Sequence, residues 1–146
     1  IYGPGNFKGY WNKPEATAAT LRDGWVHTGD MGKLDAEGYL TFIGRFKEMI
    51  KVSGYSVFPE EVETLLIKHP AVAQAAVIGV PDAEKGEVVR AFIVKKPGQD
   101  VDAAALVAWC RENMAPYKAP REVRFIDALP ATGAGKVLRR LLRDIA

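Results

Sequence analysis

Residues 71–94 read AVAQAAVIGVPDAEKGEVVRAFIV, and this stretch decides the fold. It contains two apolar runs, 71–80 and 88–94, which are separated by the turn-forming segment PDAEKGE. Short apolar runs that are rich in valine and isoleucine and bounded by turn residues are typical of buried strands. The stretch therefore predicts an antiparallel hairpin with a long loop between its strands.

A helix is predicted immediately before this hairpin. Pro59 occupies a first-turn position, and the two glutamates behind it suit the positive end of a helix dipole. Val62, Leu65 and Leu66 then recur at helical spacing, and Pro70 prevents the helix from continuing. The pattern predicts one helix between the two prolines.

Two more helices and a third strand are predicted after the hairpin. Asp100 or Asp102 can cap a helix that runs to about Met114. The segment EVRFI, residues 122–126, has the composition of a strand, and VLRRLLRDI, residues 137–145, has that of a basic amphipathic helix. Strands and helices mixed in this way favour an α+β domain.

The beginning of the sequence has a different residue composition. Residues 1–33 are rich in glycine, aromatic and turn residues, and a short helix is expected at 14–22. Two short strands are expected around the serine-glycine pair 53–54. We therefore predict an α+β fold over residues 46–146, with a short antiparallel hairpin and a three-stranded sheet packed by helices, preceded by a separate segment, 1–45.

Composition narrows the class of protein. The 146 residues are 48% hydrophobic, which is enough for a sizeable core. The net charge of +2 arises from 20 basic and 18 acidic residues and gives no argument for nucleic-acid binding. No apolar run reaches the roughly 18 residues that a transmembrane helix needs. The single cysteine, Cys110, excludes an internal disulfide, so a reducing cytoplasm is the expected location.

The glycine-rich segment ALPATGAGKVLRR, residues 128–140, raises the question of a phosphate-binding loop. The P-loop motif requires Gly-x-x-x-x-Gly-Lys-[Ser/Thr]. Gly135 and Lys136 fit this motif, but Pro130 stands where the first glycine belongs and Val137 replaces the hydroxyl residue. The segment is therefore not a P-loop. Lys136 ends a loop of small residues, where its long stem can deliver a positive charge to a ligand or simply lie in solvent.

Two further residues are candidates on local chemistry. Asp30, in the sequence HTGD, can accept two hydroxyl hydrogen bonds, as a ribose offers, or can serve as a turn residue. Arg45 can clamp a phosphate or ribose, or can pair with Glu48 in solvent. His27 and His69 have no neighbouring cysteines or paired carboxylates, so no metal site is predicted.

Five longer motifs follow one another along the chain. They read GYWNKPEAT, DGWVHTGDMGKLDAEGYLTFIGRFKEMIKVSGYSVFPEEVE, HPAVAQAAVIGVPDAEKGE, APYKAP and LPATGAGKVLRRLLR. Together they resemble the C-terminal part of an AMP-forming acyl-CoA synthetase. This is the adenylate-forming superfamily, which also includes peptide-synthetase adenylation domains and firefly-type luciferases. The resemblance covers nearly the whole chain.

The resemblance implies a two-step reaction. Members of this superfamily activate a carboxylic acid with ATP to an acyl-adenylate and pyrophosphate, and then transfer the acyl group to the thiol of CoA. A large N-terminal domain holds most of both binding sites, and a small α+β C-terminal domain rotates between the half-reactions. Residues 1–45 would be the tail of the large domain, and residues 46–146 the mobile C-terminal domain. Because the sequence begins at Ile1 and not at methionine, we expect it to be part of a longer polypeptide.

The resemblance also implies roles for single residues. On the ATP side, Asp30 would hold the ribose hydroxyls and Arg45 would contact ribose or phosphate. Lys136 of TGAGK matches the adenylation lysine, whose ammonium bridges the attacking carboxylate and the α-phosphate.

The second half-reaction involves other positions. Lys47 falls at the hinge position of the superfamily. Lys51 and Gly54 would face the active site in the thioester-forming orientation, and Gly54 would leave room for the pantetheine arm of CoA.

The implied substrates and partners are a small-molecule carboxylic acid, ATP with Mg²⁺, CoA, and the chain's own N-terminal domain. The phosphate loop of that domain, the acyl pocket and the Mg²⁺ ligands are not identifiable in this sequence, so the chain alone is expected to be inactive. Two alternatives stay open: an adenylation domain that loads a carrier-protein thiol, and a stand-alone binding module of the same fold. The identity of the acid does not follow from these residues.

Overall fold

The computed structural model describes residues 1–145 and divides the chain into two compact units, Ile1–Lys47 and Glu48–Ala146. A short 3₁₀ helix, Phe46–Glu48, contains the boundary between them. The boundary expected from the sequence lies two residues earlier. That the two units belong to two domains of an enzyme stays a prediction.

The first unit contains one short helix and two strand pairs. Helix α1, Pro14–Thr20, begins with a proline, has Glu15 in its first turn, and ends two residues before the expected end at residue 22. The strand pairs are both antiparallel: β1 (Leu21–Arg22) with β2 (Trp25–Val26), and β3 (Asp30–Leu34) with β4 (Leu40–Arg45).

A five-stranded sheet is the framework of the second unit. The two apolar runs form its longest strand pair, as the sequence predicts. In chain order the strands are β5 (Ile50–Val52), β6 (Tyr55–Val57), β7 (Val72–Asp82), β8 (Gly86–Lys95) and β9 (Glu122–Phe125).

The α+β prediction is confirmed, but the strands are joined more extensively than expected. Their order is β6-β5-β8-β7, and β9 also lies beside β8, parallel to it. The β5–β6 hairpin joins this sheet through Val52, which lies opposite Gly86. Because β9 pairs only with residues 90–93 of β8, the beginning of β8 is available to β5. The predicted three-stranded sheet and the separate hairpin are therefore parts of one sheet.

Helices α2 (Pro59–Leu66) and α3 (Ala103–Asn113) begin where local chemistry favours it. Pro59 is in the first turn of α2, as predicted. Of the two candidate caps for α3, Asp102 is the one used, because its Oδ1 accepts a 2.7 Å hydrogen bond from Ala105 N. Asp100 instead pairs with Lys95, with 2.6 Å between Oδ1 and Nζ.

The last helix, α4, spans Arg139–Asp144 and starts two residues later than expected. Val137 pairs with Ala131 in an isolated antiparallel bridge and lies before the helix. The glycine-rich segment before α4 is thus a closed turn that runs directly into the helix.

Two hydrophobic clusters pack on the two faces of the sheet. Val77 of β7 belongs to the first cluster with Leu106 of α3, while Ile78 belongs to the second with Phe92 and Leu142 of α4. This alternation is the period of two that a strand imposes. Helices α2 and α3 therefore cover one face, and α4 covers the other. Within residues 1–145 no helix has both the length and the apolar character to cross a membrane.

Candidate functional site

The first unit brings two predicted site residues together. Asp30 and Arg45 lie opposite each other in the register of β3 and β4, and Arg45 Nε donates to Asp30 Oδ1 at 2.8 Å. The turn before β3 is held by a 3.1 Å hydrogen bond from Asp30 N to Thr28 Oγ1 and by the positive φ of Gly29, +75°. Arg45 thus pairs with Asp30, and Glu48 pairs elsewhere. The result is a carboxylate and a guanidinium held side by side at the end of a hairpin.

Lys136 lies at the end of a closed turn. Thr132 N donates to Lys136 O at 2.8 Å, and Gly135 N donates to Thr132 O at 2.8 Å. The backbone of Gly135 has a φ of +78°, a conformation that favours glycine. Lys136 N also donates to Thr132 Oγ1 at 3.2 Å, and its side chain is exposed. The turn therefore fixes the lysine backbone and presents the ammonium group to solvent.

Lys51 and Gly54 belong to the β5–β6 hairpin. Lys51 Nζ donates to Ser56 Oγ at 2.8 Å, and its backbone N–H donates to Glu87 Oε2 at 2.8 Å. Gly54 has a φ of +85°, and a Cβ added there would meet no atom within 4 Å. The glycine is required by the tight turn, and the space beside it is open.

A cleft of about 290 Å³ lies beside this turn and was not predicted from the sequence. Its wall includes Tyr55 and Tyr117, whose rings stack at 4.4 Å with an interplanar angle of 16°. Two cationic residues, Lys85 and Arg121, also line it. An aromatic face beside two positive charges is suited to a ligand that carries both a flat ring and phosphate groups.

The loop that carries Lys85 is held by Asp82. The Asp82 carboxylate accepts hydrogen bonds from Lys85 N at 2.9 Å and from Glu84 N at 3.1 Å. These backbone hydrogen bonds lower the pKa of Asp82, and Arg121 adds a smaller effect in the same direction. One charged side chain thus fixes the loop from which Lys85 enters the cleft.

The predicted site residues that follow Arg45 in the chain lie in separate places. Lys51 and Gly54 share one hairpin beside the cleft, whereas Lys136 is on a different loop and lines no part of it. Lys47 is exposed in the 3₁₀ helix at the unit boundary. The one signal for the cleft in the sequence is the segment APYKAP, where a tyrosine and a lysine lie between two prolines.

The cysteine and the two histidines have the following surroundings. Cys110 is buried on α3, and burial raises the pKa of its thiol to about 11, which disfavours the thiolate. His69 lies edge-on to Trp109 and its Nδ1 accepts a 3.2 Å hydrogen bond from Ala71 N. His27 is exposed in the first unit.

Residues 61–136 match the family model described as "AMP-binding enzyme C-terminal domain". The long-chain-fatty-acid–CoA ligase of Bacillus subtilis (strain 168) is 49% identical over 144 residues, which are 99% of this chain and 26% of the ligase. The feruloyl-CoA synthase of an Amycolatopsis species is 47% identical over 143 residues, which are 98% of this chain and 29% of the synthase.

The chain is also similar in structure to a solved protein. The crystal structure of ATP-bound MatB from Rhodopseudomonas palustris superimposes with a TM-score of 0.92 and 40% identity, over 98% of this chain and 29% of MatB. The chain therefore spans between a quarter and a third of the length of the relatives that it matches.

Proposed function

Because the chain belongs to the family of AMP-binding enzyme C-terminal domains, we propose that it is the C-terminal part of an ATP-dependent, AMP-forming acyl-CoA ligase. The complete enzyme would convert a carboxylic acid, ATP and CoA into acyl-CoA, AMP and pyrophosphate through an acyl-adenylate. Residues 1–45 would end its large N-terminal domain, and residues 46–146 would form its mobile domain. The relatives that are named as CoA ligases support this proposal over loading of a carrier protein.

One observation carries the proposal: the family match reaches Lys136, and Lys136 is an exposed cation on a closed turn. Attack of a carboxylate on the α-phosphate brings two anions together. An ammonium between them reduces their repulsion and stabilises the charge that grows on the phosphoryl oxygens. We assign this role to Lys136.

ATP binding would use the first unit. The Asp30 carboxylate can accept hydrogen bonds from the two ribose hydroxyls, and the adjacent Arg45 orients it through their 2.8 Å contact. Arg45 would also contact ribose or phosphate. These roles are supported by the pairing of the two side chains across β3 and β4.

CoA binding would use the second unit. The cleft beside Gly54 combines Tyr117 with two cations, Lys85 and Arg121. We propose that the phosphates of CoA contact the cations and that its adenine contacts the tyrosine face. The open space at Gly54 would then admit the pantetheine arm, and Lys51 would face the thioester-forming site. Rotation about Lys47 would bring first Lys136 and then this surface to the reacting groups.

Mg²⁺ would accompany ATP. Within residues 1–145 no three His, Cys, Asp or Glu side chains are grouped so that they could hold a metal ion. The cytoplasm is the proposed location of the enzyme.

A substrate screen of the complete polypeptide tests the proposed function. Pyrophosphate release is measured with fatty and aromatic acids, with and without CoA, and the product is identified by mass. We expect pyrophosphate with at least one acid and an acyl-CoA only when CoA is present. Acylation of a carrier-protein thiol in preference to CoA would overturn the assignment of the acceptor. Absence of pyrophosphate with every acid would overturn the assignment of the reaction, and residues 1–146 alone serve as the inactive control.

A further inference from the structure

Arg139 is surrounded by three carboxylates in the second unit. Its Nη2 donates to Glu63 Oε2 at 2.8 Å and to Glu63 Oε1 at 2.9 Å, and lies 3.2 Å from Glu60 Oε1. Its Nη1 donates to Glu48 Oε2. The exposed fractions of these four side chains lie between 15% and 26%. The group is therefore a partly buried ion cluster and not a pair of surface charges.

Stability does not account for this cluster. Arg139 is the first residue of α4, where the helix dipole disfavours a cation. Three carboxylates outnumber one guanidinium, and Oε2 of Glu60 is buried without a hydrogen-bond partner in the described part of the chain. Burial raises the pKa of Glu63 even though Arg139 acts in the opposite direction. A buried cluster with excess negative charge is a poor source of stability, so we infer that it fixes the relative positions of the segments that it joins.

The cluster connects three segments that are distant in the sequence. Glu48 directly follows Lys47, the proposed hinge residue, while Glu60 and Glu63 lie on α2. Arg139 is the third residue after Lys136. A planar guanidinium with five donors can contact several carboxylates at once in a fixed geometry, which an ammonium group does less well.

The turn that carries Lys136 is held to the rest of the unit near α4. Its backbone hydrogen bonds close on the turn itself, from Thr132 N to Lys136 O and from Leu138 N to Pro130 O. Next to it, Leu142 packs α4 onto the sheet and Arg139 connects α4 to α2 and to Glu48. The place of Lys136 within the unit thus depends on the packing of Val137 and Leu142 and on the contacts that Arg139 makes.

We propose that Arg139 is a positioning residue for the adenylation half-reaction: by holding Glu48 and α2, it sets the position of Lys136 relative to the hinge. This role rests on the proposed function, because it has meaning only where Lys136 acts on an adenylating enzyme. In this role Arg139 links Glu48, which lies next to the hinge residue, to the segment that carries Lys136.

The test uses the complete polypeptide with Glu48→Ala and Arg139→Met, and with Arg140→Met as the matched control, since Arg140 is the exposed neighbour on the same helix. ATP–pyrophosphate exchange gives kcat and the KM for ATP of the first step. Thioester formation from supplied acyl-adenylate reports the second step. Because a misplacement of about 1 Å can cost on the order of a hundredfold, we expect kcat of exchange to fall at least about tenfold in both cluster variants. The KM for ATP, the thioester step and the Arg140→Met variant should stay near wild type.

If Arg139→Met unfolds, Glu48→Ala still tests the proposal, because in that variant Arg139 keeps its pairs with the two glutamates of α2. Added to a Lys136→Ala background, Glu48→Ala should cause no further loss of exchange. Unchanged exchange in Glu48→Ala, equal loss of both half-reactions, or a further loss in the Lys136→Ala background would overturn the positioning role. Wild-type exchange in Lys136→Ala would instead overturn the proposed function, and with it this role.

Discussion

Leu142→Ala tests how α4 is attached to the sheet. Leu142 is fully buried against Ala76, Ile78 and Phe92, and it is the buried residue of a helix only six residues long. The substitution removes three carbon atoms, which at ~0.8 kcal/mol per buried CH₂ is roughly 2.4 kcal/mol of lost transfer free energy. A residual cavity adds to this, so the free energy of unfolding should fall by about 3 kcal/mol, within the range of about 2 to 5 kcal/mol typical of such substitutions.

Urea unfolding of residues 1–146, followed by circular dichroism, measures this loss. Leu141→Ala is the matched control, because Leu141 is the adjacent leucine and is 36% exposed. We expect the control to lose less than about 1 kcal/mol. A loss below about 1 kcal/mol for Leu142→Ala as well would refute the packing of α4 that places the Lys136 turn.

The cleft proposed to bind CoA and the ion pair of Glu122 give two further predictions. In the complete enzyme, Lys85→Gln should raise the KM for CoA roughly fivefold, because about 1 kcal/mol of phosphate contact is lost, and should leave adenylation unchanged. Lys96→Gln is the control, since Lys96 is an exposed lysine. Equal KM values in the two variants would exclude Lys85 from the CoA site. Hydrogen bonds from Arg124 and, to a smaller extent, from Arg90 lower the pKa of Glu122 below its ordinary 4.5. Glu122→Gln should therefore lower the free energy of unfolding of residues 1–146 above pH 4.5, and the difference from wild type should vanish as the pH falls through the lowered pKa. A difference in unfolding free energy that persists in urea titrations at acid pH would contradict this linkage.

Much of the fold follows from local pattern. The apolar runs at 71–80 and 88–94 predict β7 and β8, because strand length and turn residues are local properties. The prolines at 59 and 70 predict α2 for the same reason. The sequence did not predict that Asp102 and not Asp100 caps α3, since both are acceptable cap residues. The pairing of Asp100 with Lys95 depends on the end of β8 lying close to the start of α3.

What the sequence did not predict depends on residues far apart in the chain. The ring stack of Tyr55 on Tyr117 and the contact of Glu48 with Arg139 join positions 62 and 91 residues apart, so no window of the sequence contains either pair. The joining of β5 to β8 likewise depends on where along β8 the pairing with β9 begins. Motif resemblance, by contrast, predicts site roles for Asp30, Arg45 and Lys136 one by one, and the structure places the first two in contact.

Lys136 is proposed to serve the first half-reaction and not the second. The most direct measurement compares wild type and Lys136→Ala in the complete polypeptide, first by ATP–pyrophosphate exchange and then by thioester formation from supplied acyl-adenylate and CoA. Removal of one preorganised charge that stabilises a transition state costs on the order of a hundredfold or more, so exchange should fall by about that factor. Thioester formation should stay within about twofold of wild type. Equal losses in the two assays, or no loss of exchange, would contradict the role assigned to Lys136.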